Sequence, residues 1–171
     1  MTTAFSISDY LTAHERLAGT LDRQAFQGGI DLIKTTFDAD KQIITCGNGG
    51  SAHTASHVVT DWNKNVTLTT GQKFRGISLC DNIGLVTAFG NDVAFDEIFS
   101  GQLQTLLDKG DLVVAFSGSG SSPNVVKAVK YANQVGANTL AEENENGLDP
   151  LYQRSRDRWI GRDTVQWRSA S

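Results

Sequence analysis

"KQIITCGNGGSAHTASHVVTD", residues 41–61, changes character twice. It opens on a short apolar run, KQIITCG (41–47), stopped by glycine, which suits a buried strand. Gly47, Asn48, Gly49 and Gly50 then lead into Ser51, and from there residues recur at helical spacing. Strand, glycine loop and helix in this order predict an α/β unit, and the rest of the chain repeats the pattern.

Upstream, Leu11, Leu17, Leu21, Ile30, Ile33 and Phe37 fall at roughly helical spacing, so two helices are expected between Ser6 and Thr36, interrupted near Gly19 and at Gly28–Gly29. Downstream, FRGISLC (74–80) is a second strand-like run, and DNIGLVTAFGND (81–92) reads as a short helix closed by Gly90. Ile98, Phe99, Leu103, Leu106 and Leu107 share one face of a helix over 96–109, with Gly110 as its stop. DLVVAFS (111–117) is the third strand. In SSPNVVKAVKYANQVGA (121–137), Ser122 can cap a helix and Pro123 takes its first position, where a missing N–H is harmless. Val125, Val129, Ala132 and Val135 give it an inward stripe, and ANTLA (137–141) is the fourth strand. Strands alternating with helices imply a parallel sheet joined by right-handed crossovers, with helices on both faces.

Ligands of such sheets gather where loops leave the carboxyl ends of the strands. Two loops there have unusual composition: CGNGGSAH after the first strand and SGSGSSPN after the third. Glycine lets the backbone approach a ligand closely, and the free N–H groups of a helix's first turn favour an anion. Ser117, Ser119, Ser121 and Ser122 add hydroxyl donors. Taken singly, each loop is equally well a tight turn with a serine cap. Together they suggest a phosphorylated metabolite held by amides and hydroxyls. No lysine follows the glycines, and no acidic residue stands about 20 residues beyond them at the end of a second strand, where a dinucleotide fold places one. Mg-nucleotide and NAD-type chemistry are therefore disfavoured.

On the helix that follows Ser51, His53, His57 and Asp61 recur every four residues and form a slowly drifting stripe. An imidazole and a carboxylate at this spacing can bind a divalent metal, supply an oriented general base, or simply satisfy each other on a solvated face. His53 is read as a surface or subunit-interface residue.

These residues resemble the sugar isomerase (SIS) fold and, within it, the phosphoheptose isomerase family. The likeness rests on CGNGGSA followed by His57 and a carboxylate four residues on, on AFGNDVAFDEIFS (88–100), and on GDLVVAFSGSGSSPNVVKAV (110–129). It implies an SIS-type three-layer α/β sandwich preceded by N-terminal helices, in a homo-oligomer, a tetramer or dimer. It implies interconversion of sedoheptulose 7-phosphate and D-glycero-D-manno-heptose 7-phosphate through an enediol. By position, Asn48, Gly49, Gly50 and Ser51 match the first substrate loop, Asn91 and Asp92 another contact, and Ser117, Gly118, Ser119 and Ser122 the phosphate-binding loop. His57 matches a zinc ligand, and Asp61 stands where the family has a glutamate serving as base and metal ligand. That makes Asp61 and His57 the expected catalytic pair and zinc the expected cofactor.

Three departures bear on activity. Asp61 is one methylene shorter than glutamate, and Gly118 replaces a hydroxyl residue common in the family. The resemblance also stops near residue 141. The SIS unit is thus expected over 1–141, and 142–171 is expected to be an atypical tail, disordered or non-homologous to the family, unless Trp159 and Trp167 pack it against the sheet. This charged, arginine-rich segment has no histidine, whereas the family's C-terminal helix carries a glutamine and a histidine that complete its site. A non-catalytic SIS module binding a sugar phosphate or another protein is the alternative expectation.

Composition narrows the partners. The 171 residues, 39% hydrophobic, suffice for one sizeable core. A formal net charge of −4 without clustered Lys and Arg gives no footprint for nucleic acid. The two cysteines, Cys46 and Cys80, lie in apolar runs and read as reduced core thiols. With no long apolar stretch and no leader pattern at the start, a cytoplasmic protein without a membrane partner is expected.

Overall fold

The structure, a computed structural model, describes residues 6–143. Helix α1 (Ile7–Gly19) is capped by the Ser6 hydroxyl, and α2 (Arg23–Asp38) by Asp22, whose carboxylate accepts the Gln24 and Ala25 amides at 2.9 and 3.0 Å. The expected break at Gly28–Gly29 does not occur, because both glycines lie inside α2. A helical glycine costs about 1 kcal/mol relative to alanine. Here Leu32, Ile33 and Phe37 on the same helix pack against the sheet, and that burial outweighs the cost.

The chain continues through β1 (Ile43–Gly47), α3 (Gly50–Asp61), a π-helical turn at Trp62–Val66, α4 (Thr67–Thr70) and β2 (Gly76–Ser78). Then come α5 (Ile83–Asp92), a 3-10 turn at Phe95–Glu97, α6 (Ser100–Leu106), β3 (Leu112–Ser117), α7 (Pro123–Val135) and β4 (Asn138–Glu143). The strands form one parallel sheet in the order β2-β1-β3-β4, with Ile43 opposite both Gly76 and Leu112, and Leu112 opposite Asn138. The fold is the expected α/β sandwich.

Several boundaries differ from the sequence expectation. The strand expected over 74–80 is only Gly76–Ser78, so Cys80 lies just past it. The helix expected over 96–109 is split into the 3-10 turn and α6, and it ends at Leu106, short of Gly110. The polar stretch after Asp61 is helical: there the π turn lets Asn63 fold back on the sheet edge, accepting the Gly76 amide at 2.9 Å and donating to the Gly76 carbonyl at 3.0 Å. The tail expectation, including Trp159 and Trp167, lies outside the described residues apart from Glu142 and Glu143 in β4.

Alternation along the strands builds two cores. Ile44, Cys46, Val113 and Ala115 pack with Phe99, Leu103, Val125, Ala128 and Ala132 on one face. Ile43, Leu112 and Val114 pack with Phe74 on the other, flanked by Phe37 and Trp62. The amino ends of β1 and β3 are tied by Asp111, a buried carboxylate that accepts the Gln42 and Asp108 amides at 3.0 and 2.9 Å. Helix α1 buries none of its residues within the chain.

Candidate functional site

The strand order reverses between β1 and β3: β2 lies on one side of β1, and β3 and β4 on the other. Such a switch point opens a crevice at the carboxyl ends of the two strands, where the loops diverge. Gly47 and Phe116 are register partners, so the two Ser/Gly loops leave the sheet side by side.

The first loop turns in a way that only glycine permits. A Cβ on Gly47 would sit 2.8 Å from the Ser51 backbone, and Gly49 has φ +56° at the start of α3. No side chain caps α3 there; the Ser51 and Ala52 amides of its first turn bond back to the Asn48 and Gly49 carbonyls at 3.0 and 3.1 Å, and the helix start adds the positive end of its dipole, which favours an anion.

The second loop is laced by its own hydroxyls. Ser117 Oγ, nearly buried, accepts the Gly120 amide at 3.1 Å; Ser119 Oγ accepts the Ser121 amide at 3.3 Å and lies 3.4 Å from Ser122 Oγ. Ser122 occupies the N-cap position of α7, as its sequence context suggests, but its side chain makes no cap bond. Its hydroxyl bonds instead with Ser119 Oγ at 3.4 Å. Gly118 is exposed, and a Cβ there would meet nothing within 4 Å, so the hydroxyl residue common elsewhere would fit without displacement.

The loops are joined by a residue that the sequence did not flag. Asn124 is 2% exposed, and it donates from Nδ2 to Asn48 Oδ1 at 2.8 Å while Asn48 Nδ2 donates to Asn124 Oδ1 at 2.9 Å. Its one sequence signal is an asparagine directly after the Pro123 helix start; the partner, 76 positions away, is visible only in the fold.

On α3, His57 Nε2 lies 3.2 Å from Asp61 Oδ2, with side chains 76% and 53% exposed. The pair offers one nitrogen and one carboxylate as donors. A catalytic zinc is ordinarily held by three protein ligands. Among the described residues, no group of three or more His, Cys, Asp or Glu converges, so His57 and Asp61 do not by themselves fit a resident zinc. His53 is exposed, as expected of a surface residue. Asn91 donates to Asp92 at 2.7 Å at the exposed end of α5, and among the described residues neither hydrogen-bonds to the loops.

Cys46 and Cys80 are free thiols. Burial pushes Cys46 far up, reinforced by neighbouring Cys80; burial likewise raises Cys80, whose Sγ donates to the Gly47 carbonyl at 3.4 Å. Neither is set up as a thiolate nucleophile. No helix of the described residues is long and apolar enough to cross a membrane.

Residues 9–141 match the family model of the SIS domain. A phosphoheptose isomerase of Campylobacter concisus is 35% identical over 134 residues, 78% of this chain and 68% of that protein. One of Aliarcobacter butzleri is 31% identical over 143 residues, 82% of this chain and 75% of its own length. The structure of a phosphoheptose isomerase from Neisseria gonorrhoeae superposes with TM-score 0.71 at 28% identity, over 84% of this chain and 78% of that one.

Proposed function

Because this chain belongs to the phosphoheptose isomerases of the SIS-domain family, we propose that it is an aldose–ketose isomerase acting on a seven-carbon sugar phosphate. The observation that carries the reading is the pair of Ser/Gly loops set side by side at the switch point, one leading into the start of α3 and the other carrying the Ser117, Ser119 and Ser122 hydroxyls. In this reading Ser117, Ser119 and Ser122 hold the phosphate, with Gly118 leaving room above it. Asn48, Gly49, Gly50 and Ser51 meet the sugar. Asn91 and Asp92 are proposed as a further substrate contact.

The reaction requires one carbon-bound proton to move. Asp61 removes a proton from C1 of sedoheptulose 7-phosphate, giving an enediol across C1 and C2, and returns it to C2. His57, hydrogen-bonded to Asp61, passes the hydroxyl proton from O1 to O2. The product is D-glycero-D-manno-heptose 7-phosphate, with no net gain or loss of atoms. Amide donors at the first loop are suited to the negative charge that develops on the enediolate oxygens.

Zinc belongs to this proposal only as an ion that His57 and Asp61 would hold together with further ligands from elsewhere. Elemental analysis of protein purified without added zinc tests it: zinc in the wild type that disappears in His57→Ala supports the assignment, and equal zinc in both rejects it.

A homo-oligomer, dimer or tetramer, is also proposed. Its support is the apolar surface of α1, α2 and the link between them, where Ile7, Leu11, Leu21, Phe26 and Ile30 are all between 46% and 73% exposed in the single chain. A cytoplasmic location fits a phosphorylated substrate.

The exposure of His57 and Asp61 keeps a second reading in view, a binding module without turnover. Calorimetry with sedoheptulose 7-phosphate alongside a turnover assay separates the two. Binding with conversion supports the isomerase; binding without conversion, weakened by Ser119→Ala, supports the module.

A further inference from the structure

Asn124 is buried at the crevice, only 2% exposed. Its Oδ1 accepts two donors, the Val125 backbone N–H at 2.9 Å and Asn48 Nδ2 at 2.9 Å. The first of these fixes the amide's orientation, because a backbone N–H can only donate. With Oδ1 so committed, Nδ2 of Asn124 must face Asn48 Oδ1, and the observed 2.8 Å bond follows. The flip of the Asn48 amide is thereby set as well. In this reciprocal pair each carboxamide uses one N–H and one lone pair of its oxygen, so among the described residues the second N–H of Asn48 has no partner.

We propose that Asn124 is a positioning residue: it reads the first-turn amide of α7 and, through the amide pair, fixes Asn48 so that its second N–H is presented to the sugar. The pair also binds the sugar-contact loop to the phosphate loop. A phosphate and the sugar it carries are then gripped in one geometry, which lowers the cost of orienting the substrate. Burial makes the arrangement strict, since a buried amide left without partners is costly and the alternative flip would set like groups against each other. This inference rests on the sugar-phosphate reading above for its ligand, and on the hydrogen bonds alone for the amide pair.

The test uses the full chain and two readouts. In the ligand-free protein, the side-chain amide resonances of Asn48 should shift strongly on Asn124→Asp, which keeps the acceptor for Val125 and its volume but removes the donor to Asn48. Unchanged resonances would overturn the pairing whatever the protein binds. By calorimetry, Asn48→Ala and Asn124→Ala should each weaken sedoheptulose 7-phosphate binding by about tenfold, the size of one or two lost hydrogen bonds, while inorganic phosphate binding stays within about twofold. The double variant Asn48→Ala/Asn124→Ala should be no weaker than Asn48→Ala, because the second residue acts through the first. Additive losses, or an equal loss for inorganic phosphate, would overturn the positioning role. A wild type that binds inorganic phosphate but not the sugar phosphate refutes the proposed substrate and, with it, the presentation of Asn48 to that sugar; the resonance test still decides the pair.

Discussion

His57 Nε2 and Asp61 Oδ2 stand 3.2 Å apart, one helical turn from each other on α3, with both side chains largely in water. An exposed pair of this kind contributes little to stability, typically about 0–1 kcal/mol. In the proposed function its role is chemical. Asp61→Asn is expected to lower turnover by about a hundredfold or more, the usual scale for a lost general base, with the melting temperature nearly unchanged. Asp61→Glu should preserve or raise turnover, since it restores the longer reach found in the family. Steady-state kinetics with a thermal melt checks both, and a stability loss that accounts for the drop in Asp61→Asn would refute the assignment.

Ser122 sits at an N-cap position yet makes no cap bond. Removing a serine that does cap a helix typically costs about 1 kcal/mol. Ser122→Ala should therefore leave the urea midpoint close to wild type while reducing phosphate affinity, and Ser119→Ala should do the same. A clear midpoint drop for Ser122→Ala would mean that the hydroxyl caps α7 after all.

Asp111 works at the opposite end of the sheet. Asp111→Ala strips the partners from two backbone donors at the amino ends of β1 and β3, and is expected to destabilise the fold by about 3 kcal/mol. Asp111→Asn keeps one acceptor and should lose less. Urea denaturation measures both, and the order Ala worse than Asn is the discriminating result.

The 3-10 turn is tied to α7 by Lys127, which bridges Asp96 at 2.8 Å and also Glu97. Glu97 is held below its ordinary 4.5, first by its bond with Lys127 and then by the Ser100 hydroxyl; Lys127 is raised above 10.5 by its bonds with Asp96 and Glu97. A lowered carboxylate stabilises the fold above its ordinary pKa and loses that contribution as pH falls through the folded value. A raised lysine does the reverse, losing its contribution only as pH rises beyond 10.5. The stability difference between wild type and Lys127→Met should thus be flat from neutral to mildly alkaline pH and shrink below 4.5. A difference that grows on acidification would contradict the pairing.

How much of this was legible in the sequence depends on range. β1 and β3 could be read because Ile43–Gly47 and Leu112–Ser117 are apolar runs buried throughout except at the half-buried Phe116, and the crevice followed because the runs end in glycine and serine. Gly28–Gly29 misled, since propensity is local and the packing of Leu32, Ile33 and Phe37 is not. The π turn at Trp62–Val66 carried no periodic signal, being held by Asn63 on a strand edge thirteen residues away. Asn124 was missed for the same reason at longer range: its meaning lies in Asn48, 76 positions earlier. Ser122 was placed correctly but for a capping bond it does not make.

The central claim is that this site moves a proton between adjacent carbons of a sugar phosphate. Incubating the protein with sedoheptulose 7-phosphate in D2O and following C1 and C2 by NMR tests it most directly. Deuterium should enter at C2 as the aldose forms, because Asp61, half exposed, exchanges its proton with solvent while the enediol lasts, and Asp61→Asn should slow this by about a hundredfold or more. A protein that binds the sugar phosphate yet neither forms the aldose nor labels either carbon would contradict the account.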